Sequence, residues 1–332
     1  MFLFSLEGAA RQVSESIAAS FNEKIPPGSF HIFDCKKYLS SFLKLLKTHD
    51  ETIAVDLLNQ SLIVQCLQFS ITHLFVSALC PVTLFTLNLL KKLNIITIHW
   101  FYEDYKRADY WKEVIPGYSW FFAIQKEPIK RLCKRYNCRF YYLPTATSDS
   151  TISFSSQAIM YKKKADISFI GIPSDYRISF LEFLAQNGIS LMIAGKGWDR
   201  YHGLLTEYII ENTWVDSLKM MEIIHYSRIA LNLSVKNPDE ERSSAQVSPR
   251  VFDILSSNTI LFTEDVPLLY ETINHCHFYT FKNKEEALTK ILSILKDTSI
   301  ALLHKKISDN QKIIAANHTW NNRVDTILSL TV

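Results

Sequence analysis

Ser248-Pro249-Arg250-Val251-Phe252-Asp253-Ile254-Leu255, set between two strand-like runs, is the stretch on which the reading of this chain turns. Ser248 is a favoured helix N-cap, and Pro249 fits the first helical position, where a missing N–H costs no hydrogen bond. A helix is therefore predicted to open here with its free N–H groups pointing outward, an arrangement that attracts phosphate. Arg250 can add a bidentate contact, and Asp253, three residues on and on the same face, can accept hydrogen bonds from a diol. Together they suit a nucleotide diphosphate and its ribose. The competing reading is that Arg250 and Asp253 pair with each other at i,i+3 on a solvated helix.

Outward from this stretch, short apolar runs alternate with helix-length amphipathic segments, the pattern of βα units around mostly parallel sheets. The chain is α/β. In the first half, Phe2 to Leu6, Phe30 to Asp34, His73 to Ser77, Ile95 to Trp100, Trp120 to Ile124 and Phe140 to Leu143 read as strands. In the second half, Ile167 to Gly171, Leu191 to Gly195, Ile229 to Leu233, Ile260 to Thr263 and Phe278 to Phe281 do so. The polar, small stretch Thr145 to Thr151 reads as a connection between two doubly wound domains facing one another, at 1–150 and 151–316, with 317–332 a C-terminal helix packing back on the first domain. In open α/β sheets ligands sit outside the carboxyl ends of the strands, so the cleft between the two domains is the expected place for chemistry.

The 332 residues are 48% hydrophobic and 21% charged, enough for two domains with real cores. A net charge of +3 neither demands nor excludes a polyanionic partner. The lysine run Lys162-Lys163-Lys164 reads as a solvated face or linker, with attraction to an anionic membrane surface the lesser alternative. Cysteines 35, 66, 80, 133, 138 and 276 form no CxxC pair and no zinc spacing with histidine, which points to a reducing compartment, the cytoplasm, and to no metal. The eight glycines never form GxGxxG and no P-loop is present, which argues against a dinucleotide-dependent dehydrogenase.

Several segments fall, in order, into one family pattern. Phe169-Ile170-Gly171 with Tyr176-Arg177, Leu191 through Trp198, Ile229-Ala230-Leu231-Asn232, Ser248 through Leu255, and His318-Thr319-Trp320-Asn321-Asn322-Arg323 resemble the C-terminal half of the CgeB-like glycosyltransferases, named for a spore maturation protein. Trp100 through Asp104, Tyr118-Ser119-Trp120 and Tyr142-Leu143-Pro144 look more loosely like the matching N-terminal domain. The resemblance implies a GT-B fold of two Rossmann-like domains, with a nucleotide-sugar donor held by the second, a UDP-sugar favoured. The acceptor is a glycan, a lipid-linked molecule or a protein; no cofactor and no obligatory metal are implied. A DNA-base-modifying glycosyltransferase and a non-catalytic nucleotide-sugar-binding or scaffold protein of the same fold are the alternatives.

On that pattern Arg250 and Asp253 stand where the family has an arginine and an acidic residue, usually glutamate, for pyrophosphate and ribose. Aspartate is one methylene shorter. Donor contacts are also implied for Ser248, Val251, Gly195, Lys196, Arg177 and Asn232. Gly195-Lys196-Gly197 lets backbone approach a ligand while Lys196 meets phosphate, or it is a glycine turn with an exposed lysine. Trp198 reads as core. The polar loop Ser234 to Val247 can close over a ligand. Where the family has glycine after the Arg/acid helix this chain has Asn258, which tolerates the left-handed C-cap conformation. Glu7, Glu103 and Asp104 follow strands of the first domain and are the candidates for a base that deprotonates the acceptor, against ordinary roles as caps or solvated carboxylates. His99 reads as a satisfied strand histidine. Tyr102, Tyr105, Tyr110 and Trp111 form an acceptor platform or simply pack the domain.

Overall fold

A computed structural model describes residues 2–4, 9–47, 50–157, 162–235, 246–297 and 300–332. It divides into two compact units: Met1–Thr145 with Trp320–Val332, and Ala146–Thr319.

The first unit carries a parallel six-stranded sheet: β1 (Phe2–Phe4), β2 (His31–Phe33), β3 (His73–Ser77), β4 (Ile96–Phe101), β5 (Trp120–Ala123) and β6 (Arg139–Tyr142), in the order β2-β1-β3-β4-β5-β6. Its central strands are buried on both faces, so they read as continuous apolar runs rather than alternating ones. Helices Cys35–Leu46 and Glu51–Gln68 pack on each other and start where Asp34 and Asp50 accept from Lys37 N–H and Thr52 N–H. The last helix, Trp320–Thr331, packs against helix Ala9–Lys24. Trp320 meets Trp100 edge-on at 5.9 Å, and Arg323 donates to the carbonyls of Pro144 and Thr145. That buried guanidinium fixes the chain where it leaves the unit, so the boundary falls at Thr145/Ala146 rather than after residue 150, and at Thr319/Trp320 rather than after 316.

The second unit carries β7 (Ala165–Ile170), β8 (Leu191–Ala194), β9 (Ile209–Glu211), β10 (Ser227–Asn232), β11 (Ile260–Glu264) and β12 (Tyr279–Phe281), all parallel, in the order β12-β11-β10-β7-β8-β9. The order runs outward in opposite directions from the β7/β10 pair, the doubly wound pattern of nucleotide-binding folds, with its switch point between those two strands. Three of its features depart from the expectation. β9, an edge strand of three residues, is too short to stand out as a strand. Residues Asp149–Gln157 form a helix although their serines and threonines resemble a linker. Lys163 is no solvated bystander, since its ammonium donates to the carbonyls of His225 and Asn258.

Candidate functional site

Three loops leave the carboxyl ends of the central strands of the second sheet. β7 runs into Gly171, and helix Asp175–Gln186 begins at Ser174, whose hydroxyl accepts from Arg177 N–H. β8 runs into Gly195, which has φ +141 and would place a Cβ 2.4 Å from the Gly171 carbonyl oxygen. The two exits therefore touch backbone to backbone, which only glycine permits. Trp198 donates its indole N–H to that same oxygen at 2.8 Å and is fully buried, the core role expected of it. Lys196 between the two glycines is exposed.

Arg177 ties the switch point together. Its guanidinium donates to the carbonyls of Ile172, Leu233 and Ser234 at 2.9, 2.6 and 3.0 Å and lies 5.3 Å over the Phe169 ring. The expected donor contact thus falls on a side chain committed to backbone carbonyls of both the β7 and β10 exits. Asn232 is likewise engaged, donating to Thr263 Oγ1 at 2.9 Å.

A residue that sequence reasoning passed over stands beside them. Glu264 ends β11, is buried, and accepts from Ser234 N–H and the Ser234 hydroxyl through one carboxylate oxygen. Among the described residues the other oxygen is buried without a partner of good hydrogen-bond geometry, although the Tyr176 hydroxyl stabilises the carboxylate. Burial raises its pKa, while the Ser234 hydrogen bonds and nearby Tyr176 and Arg177 oppose the shift. A charge closing an otherwise apolar strand was the available signal.

Helix Pro249–Leu255 follows β10 and starts at the same edge of the sheet. Ser248 caps it, its hydroxyl accepting from Arg250 N–H at 3.2 Å, and Val251 is buried beneath. Arg250 and Asp253 share a face as the spacing requires. Their closest approach, Nη1 to Oδ2, is 4.0 Å, the outer limit of an ion pair and too long for a hydrogen bond. Asp253 accepts instead from the Thr147 hydroxyl at 2.9 Å. Burial pushes the Asp253 carboxyl up, opposed by Arg250 and Thr147, and burial draws Arg250 down, opposed by Asp253. Arg250 Nε is buried and has no acceptor among the described residues. A half-buried guanidinium with an unused donor at the carboxyl edge of a doubly wound sheet is positioned for an anion.

The end of this helix differs from expectation. Asn258 is not left-handed. The final carbonyls are met by serines: Ser256 and Ser257 hydroxyls donate to the carbonyls of Asp253 and Ile254, so no αL residue is needed. The Asn258 amide donates to the Ser155 carbonyl.

Of the base candidates, Glu7 lies outside the described residues, as do 236–245 of the expected closing loop. Asp104 accepts from Lys106 N–H, a turn-capping role. Glu103 is half-buried, and burial raises its pKa against the pull of Arg107. His99 is fully buried: its Nδ1–H donates to the Val76 carbonyl and its Nε2 accepts from the Tyr110 hydroxyl, so it stays neutral, with a pKa lowered by burial to about 3. The aromatic platform resolves into packing. Tyr102 bonds Ser14, Tyr110 bonds His99 and accepts from Leu79 N–H, and Trp111 donates to the Tyr105 carbonyl. Among the described residues no three His, Cys, Asp or Glu side chains gather to hold a metal.

Residues 177–329 match the protein-family model described as glycosyl transferase-like, a span that contains Arg177, Gly195, Lys196, Asn232, Arg250, Asp253 and Glu264. The chain is an enzyme of the glycosyltransferase class. A search of curated proteins finds no match to it. Among solved structures the enzyme is similar in fold to sucrose-phosphate synthase from Thermosynechococcus elongatus, at TM-score 0.62 and 9% identity over 99% of this chain and 94% of that one. It is similar to HepE of Anabaena in complex with UDP and glucose, at TM-score 0.60 and 13% identity over 100% and 99% of the two chains. A DNA-modifying β-glucosyltransferase, with uridine diphosphoglucose as its substrate, aligns at TM-score 0.54 and 10% identity over 99% and 98%. At such identities these likenesses show the fold, a GT-B fold with two Rossmann-like sheets.

Proposed function

We propose that this glycosyltransferase takes its sugar from a nucleoside diphosphate donor, preferably a UDP-sugar, and passes it to a glycan, lipid-linked or protein acceptor without an obligatory metal. The observation that carries the reading is Arg250: a half-buried cation with an unused buried donor, on the carboxyl edge of the sheet next to its switch point. In the reaction the acceptor oxygen bonds to the anomeric carbon while the bond from that carbon to the diphosphate breaks. The electron pair leaves on a phosphate oxygen, where the charges of Arg250 and Lys196 would stabilise it. Glu103, its pKa raised by burial, is the preferred group to receive the acceptor proton, because Asp104 is occupied by its turn. Asp253 retains one oxygen for the ribose diol. The ordered motifs quoted above support placement in the CgeB-like branch, and six free, buried cysteines are compatible with work in the cytoplasm. The HepE complex with UDP favours uridine over other bases.

The test is thermal denaturation with uridine, guanosine, cytidine and thymidine diphosphates, in the native chain and in Arg250→Ala. UDP should raise the melting temperature of the native chain, and Arg250→Ala should weaken UDP binding thirty- to hundred-fold, the equivalent of about 2–3 kcal/mol for a charge-assisted contact. The melting temperature of the nucleotide-free protein should fall only slightly, because Arg250 makes no hydrogen bond to Asp253 and its loss removes only the charge that opposes burial of that carboxyl. An unchanged UDP shift in Arg250→Ala would sink the donor-site assignment. Release of UDP from UDP-sugars with glycan, lipid or duplex DNA acceptors then separates a transferase from a binding protein and one acceptor class from another.

A further inference from the structure

Helix Glu51–Gln68 in the first unit is apolar on two opposite sides. One side, with Ala54, Leu58, Leu62 and Cys66, is buried in the unit. The other carries Ile53, Leu57, Gln60, Val64 and Leu67, of which Ile53, Val64 and Leu67 are 52, 60 and 56% exposed. Surface helices normally turn charged and polar residues to solvent. Here the sole formal charge from Thr52 to Gln68 is Asp56.

The spacing of the exposed stripe decides what covers it. Steps of four, three, four and three residues are those of a coiled-coil seam, with Gln60 its one polar member. The ends of the stripe are symmetric about Gln60, Ile53 and Leu67 each lying seven residues away, while Leu57 and Val64 stand three and four residues from it. We propose that two copies of this chain pair their Glu51–Gln68 helices antiparallel about Gln60. That pairing sets Gln60 against the partner subunit's Gln60, where each amide can donate to the other, and Ile53 against the partner subunit's Leu67 at both ends. A single polar seam position fixes register in this way.

Charge favours a second copy over a lipid surface. Along the two helices and their caps, Lys36, Lys37, Lys44 and Lys47 are balanced by Asp34, Asp50, Glu51 and Asp56, and Arg11, which pairs with Asp34, by Glu15, so this part of the chain carries no net positive charge to draw anionic headgroups. The seam from Ile53 to Leu67 is about 21 Å long at the helical rise. A seam of that length forms an interface near the lower bound for specific association, roughly 1,000 Å² in total. The dimer expected is therefore concentration-dependent, with a Kd on the order of micromolar.

Sedimentation velocity of the full chain from about 1 to 100 µM, a range that brackets that affinity, should show the 38.4 kDa species giving way to one of twice that mass. Val64→Lys combined with Leu67→Lys should hold the protein monomeric throughout, with unchanged circular dichroism and melting temperature because both side chains are exposed. Gln60→Cys should cross-link to itself under mild oxidation. Ile53→Cys and Leu67→Cys should cross-link when mixed and neither alone, with the native chain and its buried cysteines as control. A monomer at every concentration, a dimer indifferent to the lysine pair, or self-cross-linking by Ile53→Cys would overturn the proposal. So would monomeric binding to phosphatidylglycerol vesicles that the lysine pair abolishes.

Discussion

The carboxyl edges of the two sheets are made of the same fold and filled in opposite ways. At the first, most buried polar groups are paired among themselves, Ser14 with Tyr102, Leu79 N–H with Tyr110, Tyr110 with His99 and His99 with Val76, and the Thr145 hydroxyl is the exception. Aromatic rings close over them, with Tyr118 stacked on His99 at 4.8 Å. At the second, side chains are withdrawn where Gly171 and Gly195 meet, and Arg250 and Glu264 each keep a buried polar atom without a partner of good hydrogen-bond geometry among the described residues. A satisfied network rigidifies a core, whereas an unsatisfied buried donor is costly unless something else completes it. The difference does not follow residue type, since arginines stand on both sides of it: Arg177 is committed to backbone carbonyls and Arg250 is not.

The largest effect is expected where the second edge is emptied of side chains. Gly195→Ala puts a methyl 2.4 Å from a backbone oxygen that cannot yield, at a φ that alanine avoids. A loss of about 4 kcal/mol, or failure to fold, is expected from strain and overpacking together. Chemical denaturation measures it; a wild-type midpoint would mean that the two exits do not touch. Next comes Arg177→Ala, which strands three carbonyls at the switch point and should cost about 3 kcal/mol. It should lower the melting temperature by a similar amount with and without UDP, whereas Arg250→Ala should chiefly lose the UDP-dependent rise. If Arg177→Ala abolished UDP binding in a protein of unchanged stability, the distinction between the two arginines would collapse.

That distinction marks where the sequence stops being readable. His73 to Ser77 is found as read because a strand buried on both faces is an uninterrupted apolar run. The Ser248 cap and Pro249 start are found as read because capping is local chemistry. β9 was illegible because a half-buried edge strand of three residues is too short to show a period, and helix Asp149–Gln157 because its serines and threonines resemble a turn. Arg177 and Arg250 look alike in sequence, each in the first turn of a helix behind a serine cap. What separates them is the set of carbonyls at Leu233 and Ser234, 56 and 57 residues distant from Arg177, which no local pattern encodes. Glu264 was missed for the same reason: its meaning comes from Ser234 on the neighbouring strand's exit.

The smallest effect tests the packed edge. His99 is held neutral, with its folded pKa lowered by burial to about 3 against 6.5 in an unfolded chain. Between those values the unfolded state binds the proton and the folded state does not, so stability rises with pH through that window. The contribution is complete above 6.5 and is lost as pH falls toward 3, amounting to about 2 kcal/mol already gone at pH 5. Denaturation of the native chain and of His99→Phe at pH 7 and pH 5 isolates it, because His225, Glu103 and Glu264 shift both proteins alike and cancel in the difference. The stability gap between the two proteins should change by about 2 kcal/mol between those pH values, in favour of the variant at pH 5. A gap that stays constant would mean that burial does not shift the histidine, and the paired network around it would then be open to solvent.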